Sequence, residues 1–155
     1  MNNSQFSILN SQLNYDELSA LDKLCVGVDG WSPENFRSEA EKDGGIVLAA
    51  YDRDCLAGMI AGFTAADTGE ILTVATAPQY RRMGVARMLM EAFLAAVPDE
   101  VETVALEVRQ SNTAAIELYK GFGFERAGVR KRFYSDPDED AYIMVRYMTK
   151  NKEGS

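Results

Sequence analysis

The chain contains no histidine and only two cysteines in 155 residues. A histidine-based triad and a histidine zinc site are thereby excluded, and no metal is expected. Cys25 and Cys55 are too few for a disulfide framework, and no Cys-x-x-Cys occurs. Both fall in apolar surroundings and read as core residues. No apolar run approaches the roughly 18 residues of a membrane helix, so no membrane partner is expected. Met1-Asn2-Asn3-Ser4-Gln5 lacks the basic and apolar regions of a signal peptide, which makes a cytoplasmic location the default. With 24 acidic against 16 basic residues, the formal net charge is -8. That balance argues against nucleic acid as a ligand and favours a basic partner or substrate. Any general base must be a carboxylate, a tyrosinate, a lysine or water.

Apolar residues make up 46% and charged residues 26%, the balance of an ordinary soluble domain. The length fits one domain over residues 1–150, followed by a polar tail at 151–155. Gln5 to Leu9 reads as a short strand, and Tyr15 to Val26 as a helix with Leu18, Leu21, Leu24 and Cys25 on one face. Ser32-Pro33-Glu34 is a helix start, with a hydroxyl at the N-cap and proline in the first turn. That helix is expected to reach about Lys42. Strands are expected at Ile46–Tyr51, Leu56–Thr64, Glu70–Thr76, Val101–Arg109, Phe124–Arg130 and Ala141–Met148. Helical periodicity runs from Val85 toward Pro98, and Ala114–Lys120 is a helix closed by Gly121.

Between the strand ending at Thr76 and the helix beginning at Val85 lies Gln79-Tyr80-Arg81-Arg82-Met83-Gly84-Val85-Ala86-Arg87. The first backbone N–H groups of a helix have no intrahelical acceptor, and the helix dipole adds positive potential there. A phosphate or pyrophosphate fits such a cradle. Gly84 lets a ligand approach the backbone, and Arg81, Arg82 and Arg87 concentrate positive charge. An ordinary basic turn would look similar. The spacing is neither that of a nucleoside-triphosphate P-loop nor that of a dinucleotide fingerprint. A pyrophosphate on another kind of ligand remains.

The second half of the chain carries a further pattern. Leu106-Glu107-Val108-Arg109-Gln110-Ser111-Asn112 precedes Ala114-Ala115-Ile116-Glu117-Leu118-Tyr119 and then Gly121-Phe122-Gly123-Phe124. This resembles the second cofactor motif of the GNAT acetyltransferases, and Arg81 to Ala86 resembles their first. Arg130-Lys131-Arg132-Phe133-Tyr134 and Ala141-Tyr142-Ile143-Met144 are similar to the bacterial RimI-type subfamily. That subfamily acetylates the N-terminal alanine of a small-subunit ribosomal protein. The resemblance covers roughly residues 70 to 147. It departs from the family at Ala86, where a second glycine is common, and it is loose over the first 60 residues, around Trp31-Ser32.

The resemblance implies a mixed, mostly antiparallel α/β (α+β) sheet flanked by four helices. It also implies a parallel pair, Glu70–Thr76 with Val101–Arg109, that splays apart. Acetyl-CoA would be the cosubstrate, its pyrophosphate on Arg81, Arg82, Met83, Gly84, Val85, Ala86 and Arg87. Its pantetheine arm would add to the sheet along Val74, Ala75 and Thr76 like an extra strand. Asn112 is a helix N-cap, a hydrogen-bond donor to the pantetheine arm, or both.

Acetyl transfer needs a neutral amine and a protonated leaving thiolate. Glu107 lies between apolar Leu106 and Val108, so its carboxylate is expected near the sheet interior. A plain ion pair with Arg109, two residues on and on the same face, is the other reading. The resemblance assigns Glu107 the base. It assigns Tyr119 the acid that protonates the thiolate; an aromatic packed under the sheet is the alternative. Trp31 and Tyr134 are candidates for the wall of a peptide pocket, or for rim packing. Ser135 to Asp140 holds four acids in six residues, a solvated hairpin loop or an attractor for a basic peptide. The expected acceptor is a basic protein N-terminus led by alanine or serine. A small-amine or antibiotic acetyltransferase and a non-catalytic acyl-CoA-binding module are the rivals. The expected assembly is a monomer or weak dimer.

Overall fold

Local signals place most elements of the computed structural model, which describes residues 5–148. Helix α1, Tyr15–Val26, starts because Asn14 Oδ1 accepts the Glu17 N–H at 3.1 Å, and it stops at Gly27, whose φ of 78° is left-handed. Helix α2, Pro33–Glu41, opens on a reciprocal capping box between Ser32 and Asn35. Strands β1 (Ser7–Leu9), β2 (Gly45–Asp52), β3 (Cys55–Ala65), β4 (Thr68–Thr76), β5 (Thr103–Arg109), β6 (Glu125–Tyr134) and β7 (Glu139–Tyr147) lie in a mixed sheet of order β1-β2-β3-β4-β5-β7-β6. Helices α3, Val85–Ala96, and α4, Thr113–Gly121, complete four helices among the described residues. The expected sheet and helix content is therefore observed. The tail expected at 151–155 lies outside the described residues.

The chain forms two compact units. The first contains residues up to Phe63 together with Leu72–Ala96. Here β1–β2 and β2–β3 pair antiparallel, with a bulge at Ala50/Tyr51. Leu18, Leu21 and Phe36 from α1 and α2 pack on Val47, Ala49, Met59 and Ala61 of the sheet. Gly58 of β3 is fixed by packing: a Cβ there would meet Val85 Cγ1 at 2.7 Å and Ala75 O at 2.9 Å. Only glycine lets the first turn of α3 sit that close to the sheet. Cys55 corrects its expectation: it is exposed, at the first position of β3, whereas Cys25 packs against the core.

The second unit contains Thr64–Ile71 and the chain from Val97 onward. Thr68–Ile71 of β4 pairs in parallel with Thr103–Leu106 of β5, and the register includes no later residue. β5 and β6 both pair antiparallel with β7. Along β5, Val104, Leu106 and Val108 are buried and alternate with half-buried Thr103, Ala105, Glu107 and Arg109. β6 and β7 extend further toward each other than expected, to Tyr134 and from Glu139. β6 is an edge strand whose Arg126, Arg130, Lys131 and Arg132 are exposed, charges that discourage edge-to-edge pairing.

Candidate active site

The basic turn is held from both ends. A single 3-10 turn at Pro78–Tyr80 precedes it, and the Tyr80 hydroxyl donates to Asp52 Oδ2 at 2.9 Å. That bond, with burial second, pushes the phenol up to about 12. Arg82 has φ 66° and Gly84 φ 83°, both left-handed, so successive N–H groups curl around a concavity. The left-handed region suits glycine and strains a residue with a Cβ, which gives Gly84 a stronger requirement than ligand clearance alone. α3 starts at Val85, and Met88 N donates to Gly84 O at 3.0 Å. The N–H groups of Val85 and Ala86 lie ahead of that bond in the first turn, where a helix offers no intrahelical acceptor. Arg81, Arg82 and Arg87 are exposed, and Met83 and Ala86 half-buried. These residues can hold a pyrophosphate.

In the same unit Val74 and Thr76 are half-buried and Ala75 is buried. Cys25 Sγ donates to Thr76 O at 3.5 Å. Trp31 is half-buried, with its ring tilted against Phe36 at 5.1 Å. Its backbone is pinned at both polar atoms. Ser19 Oγ donates to Trp31 O at 2.7 Å, and Trp31 N donates to Asp22 Oδ2 at 2.7 Å. Asp22 is 1% exposed and its other oxygen accepts from Thr73 Oγ1 at 2.6 Å. Burial raises its carboxyl above the ordinary 3.8, partly offset by the bonds from Thr73 and Trp31. The sequence reading missed Asp22, though the signal was there: an acid four residues after Leu18, on the apolar stripe of α1.

In the second unit, Glu107 lies on the face of β5 opposite Leu106 and Val108, not among them. Strand alternation requires this, and it corrects the expected place in the apolar interior. The carboxylate is 15% exposed and pairs with Arg130 Nη2 at 3.3 Å. The alternative reading of Glu107, a plain ion pair with Arg109, is not what forms. Arg109 bonds Glu139 Oε1 at 3.2 Å instead. Glu139 also accepts from Ser111 Oγ and Ser111 N, and Ser111 with Arg109 holds its carboxyl below the ordinary range. Asp140 Oδ1 accepts from Arg132 N at 2.8 Å. Of the four acids in Ser135 to Asp140, two thus have internal partners.

Tyr119, on α4, is 8% exposed, with Phe124 at 6.1 Å between ring centroids. Burial, then the neighbouring Tyr134, pushes its phenol up to about 12. It stays protonated across the physiological range and can donate a hydrogen bond. Asn112 caps α4, its Oδ1 accepting from Ala115 N at 3.2 Å. Tyr134 is half-buried beneath the Arg109 guanidinium, 4.5 Å from the ring centroid. Among the described residues, no group of three or more histidine, cysteine or carboxylate side chains could hold a metal ion. No helix among them is long and apolar enough to cross a membrane.

A chain with this site matches the acetyltransferase (GNAT) family over residues 13–124. The N-alpha-acetyltransferase RimI of Mycobacterium tuberculosis is 34% identical over 128 residues, 80% of this chain and 80% of that protein. A [ribosomal protein bS18]-alanine N-acetyltransferase of Salmonella typhimurium is 35% identical over 123 residues, covering 74% and 79% of the two chains. The crystal structure of the ribosomal-protein-S18-alanine N-acetyltransferase from Escherichia coli superposes with a TM-score of 0.79 at 28% identity, over 97% of this chain and 98% of that one. The chain belongs to the GNAT acetyltransferase family. Within that family it is an N-acetyltransferase similar to the RimI-type enzymes.

Proposed function

We propose that the protein transfers an acetyl group from acetyl-CoA to the N-terminal α-amine of a basic protein led by alanine or serine, such as a small-subunit ribosomal protein. The observation that carries the cofactor half is the left-handed turn at Arg82 and Gly84 opening α3, a helix start of the kind that binds anions, with exposed Arg81, Arg82 and Arg87 in the same segment. The acceptor half rests on relatives named for the alanine of bS18 and on the chain's net charge of -8. The family match over residues 13–124 includes parts of both compact units.

Acetyl-CoA, when bound, supplies a thioester carbonyl for the amine to attack. Val74, Ala75 and Thr76 offer backbone groups to its pantetheine arm, and Asn112 a side-chain amide. The turn from Arg81 to Arg87 neutralises the pyrophosphate. Glu107 accepts the proton of the acceptor ammonium, directly or through one water, and leaves a nucleophilic amine. Tyr119 then serves the departing sulfur. With its phenol near 12 and an alkyl thiol near ~8.5, full transfer from Tyr119 is uphill, so the hydroxyl acts chiefly as a hydrogen-bond donor to the departing thiolate, which takes up the second proton that the nitrogen releases on becoming an amide. Trp31 in one unit and Tyr134 in the other are each candidates for contact with the acceptor.

The deciding assay measures thiol release from acetyl-CoA with a panel of N-terminal peptides and small amines. Basic peptides led by alanine or serine should react fastest. Their advantage should shrink with added salt, because screening acts over about 8 Å at physiological ionic strength. Discrimination among small first residues should be modest, one methylene being worth ~1–3 kcal/mol. A polyamine or aminoglycoside outpacing every peptide would overturn the acceptor half.

A further inference from the structure

The β6–β7 hairpin loop is held by side chains rather than by its ladder. Regular pairing breaks between Arg130 and Tyr134, where Arg132 takes a left-handed φ of 50°, and it resumes only at Tyr134↔Glu139. Into this irregular tip reaches Arg109 from β5. Its Nη1 donates to Pro137 O at 3.0 Å and to Glu139 Oε1 at 3.2 Å, and its Nη2 donates to Ser135 O at 3.1 Å. The guanidinium plane lies over the Tyr134 ring. On the other side of the same carboxylate, Ser111 N donates to Glu139 Oε2 at 2.7 Å, and Gln110 N donates to Asp140 O at 3.3 Å. Three consecutive residues after Val108 thus grip the loop, and they lie between Glu107 and Asn112.

We propose that Arg109, with Glu139 and Ser111, is a positioning latch that fixes the hairpin loop and Tyr134 beside the strand carrying Glu107, and so sets acceptor affinity without touching the reacting atoms. The idea rests on the acceptor-side role of Tyr134 given above. One cation bonds two loop carbonyls, one carboxylate and one aromatic face, which needs the planar fork of arginine. A lysine could meet Glu139 but could not span both carbonyls and stack on the ring. The Arg109–Glu139 pair is partly exposed, so its loss should cost little stability. Misplacing a substrate wall, by contrast, is costly for binding geometry.

The test uses the full chain with Arg109→Lys, Glu139→Gln and their double variant. Michaelis constants for peptide and for acetyl-CoA, turnover rate and melting temperature are measured together. Arg109→Lys should raise the peptide KM about tenfold, through loss of a positioned wall, while kcat, acetyl-CoA KM and melting temperature stay near wild type. Glu139→Gln should act in the same direction, and the double variant should be no worse than Arg109→Lys, because both break one network. An unchanged peptide KM in both single variants overturns the latch. So does a loss of acetyl-CoA affinity in step with peptide affinity, or additive losses in the double variant. If Arg109→Lys fails to fold, Glu139→Gln decides alone. If the wild type acetylates only a small amine, the peptide reading fails by itself, and the latch is judged on the KM for that amine.

Discussion

The carboxylate of Glu107 meets the guanidinium of Arg130 across the sheet, not that of its strand neighbour Arg109. The register explains the pairing. Arg109 and Arg130 both lie opposite Ala141, one row from Glu107, so either could reach it. Arg109 is occupied by the hairpin, and Arg130 takes the place. In that position Arg130 is largely exposed and its guanidinium also lies 5.4 Å from the Phe133 ring centroid.

That arrangement separates a base from a structural partner. If Glu107 removes the amine proton, Glu107→Gln should lower turnover by about 10²–10⁴-fold. Arg130→Gln should then change turnover by less than threefold and stability by under about 1 kcal/mol, the range of partly exposed pairs. Steady-state kinetics and denaturant titration of both variants decide. Equal losses in the two would mean that Glu107 only anchors Arg130.

Tyr119→Phe removes one hydroxyl and keeps the ring against Phe124. Acetyl-CoA affinity should hold, and turnover should fall by about 10²–10⁴-fold if the hydroxyl serves the leaving sulfur. Calorimetry for binding and rapid thiol detection for rate separate the two. A loss under threefold would reduce Tyr119 to a packing residue.

How far the chain could be read without coordinates depended on the range of the interactions. The bounds of α1 were legible, because its stop signal, Gly27, is local, but the apolar face expected from the spacing included Leu24, which is 66% exposed. The turn at Arg82–Gly84 was legible for the same reason, although the left-handed Arg82 was not. The ends of β6 and β7 were not legible, because Arg109, distant in sequence, holds their connection. The alternation of β5 is visible in its sequence, and it sets Glu107 on the face opposite its apolar sequence neighbours Leu106 and Val108. Burial of Asp22 depends on Thr73, 51 positions away, which no local pattern reports.

Gly84→Glu should abolish acetyl-CoA binding. The left-handed φ of 83° strains any side chain by roughly 1–2 kcal/mol. A carboxylate there would also oppose the pyrophosphate. Gly84→Ala carries the strain without the charge and should bind with an intermediate loss. Calorimetry with acetyl-CoA, alongside a melting curve, reads both effects. Wild-type affinity in Gly84→Glu would place the pyrophosphate elsewhere.

Asp22 should make stability depend on pH in the direction opposite to a salt-bridged acid. Its folded carboxyl titrates above the ordinary 3.8 because burial disfavours the charge. Between 3.8 and that raised value the folded state binds more protons than the unfolded chain. Stability therefore falls as pH rises through this window, and the full cost persists above it. Asp22→Asn is isosteric and removes the charge. Its carbonyl can still accept from Trp31 N, and its amide can donate to Thr73 Oγ1, whose hydroxyl turns from donor to acceptor. The variant should gain on wild type as pH rises and level off above the window. Asp22→Ala instead leaves Trp31 N and Thr73 without a partner and should lose about 1–3 kcal/mol at any pH. Urea titrations at about pH 4 and about pH 7 measure the difference. A wild-type advantage over Asp22→Asn that grows with pH would show that the ionised carboxylate is the favoured form, and that its bonds to Trp31 and Thr73 outweigh burial.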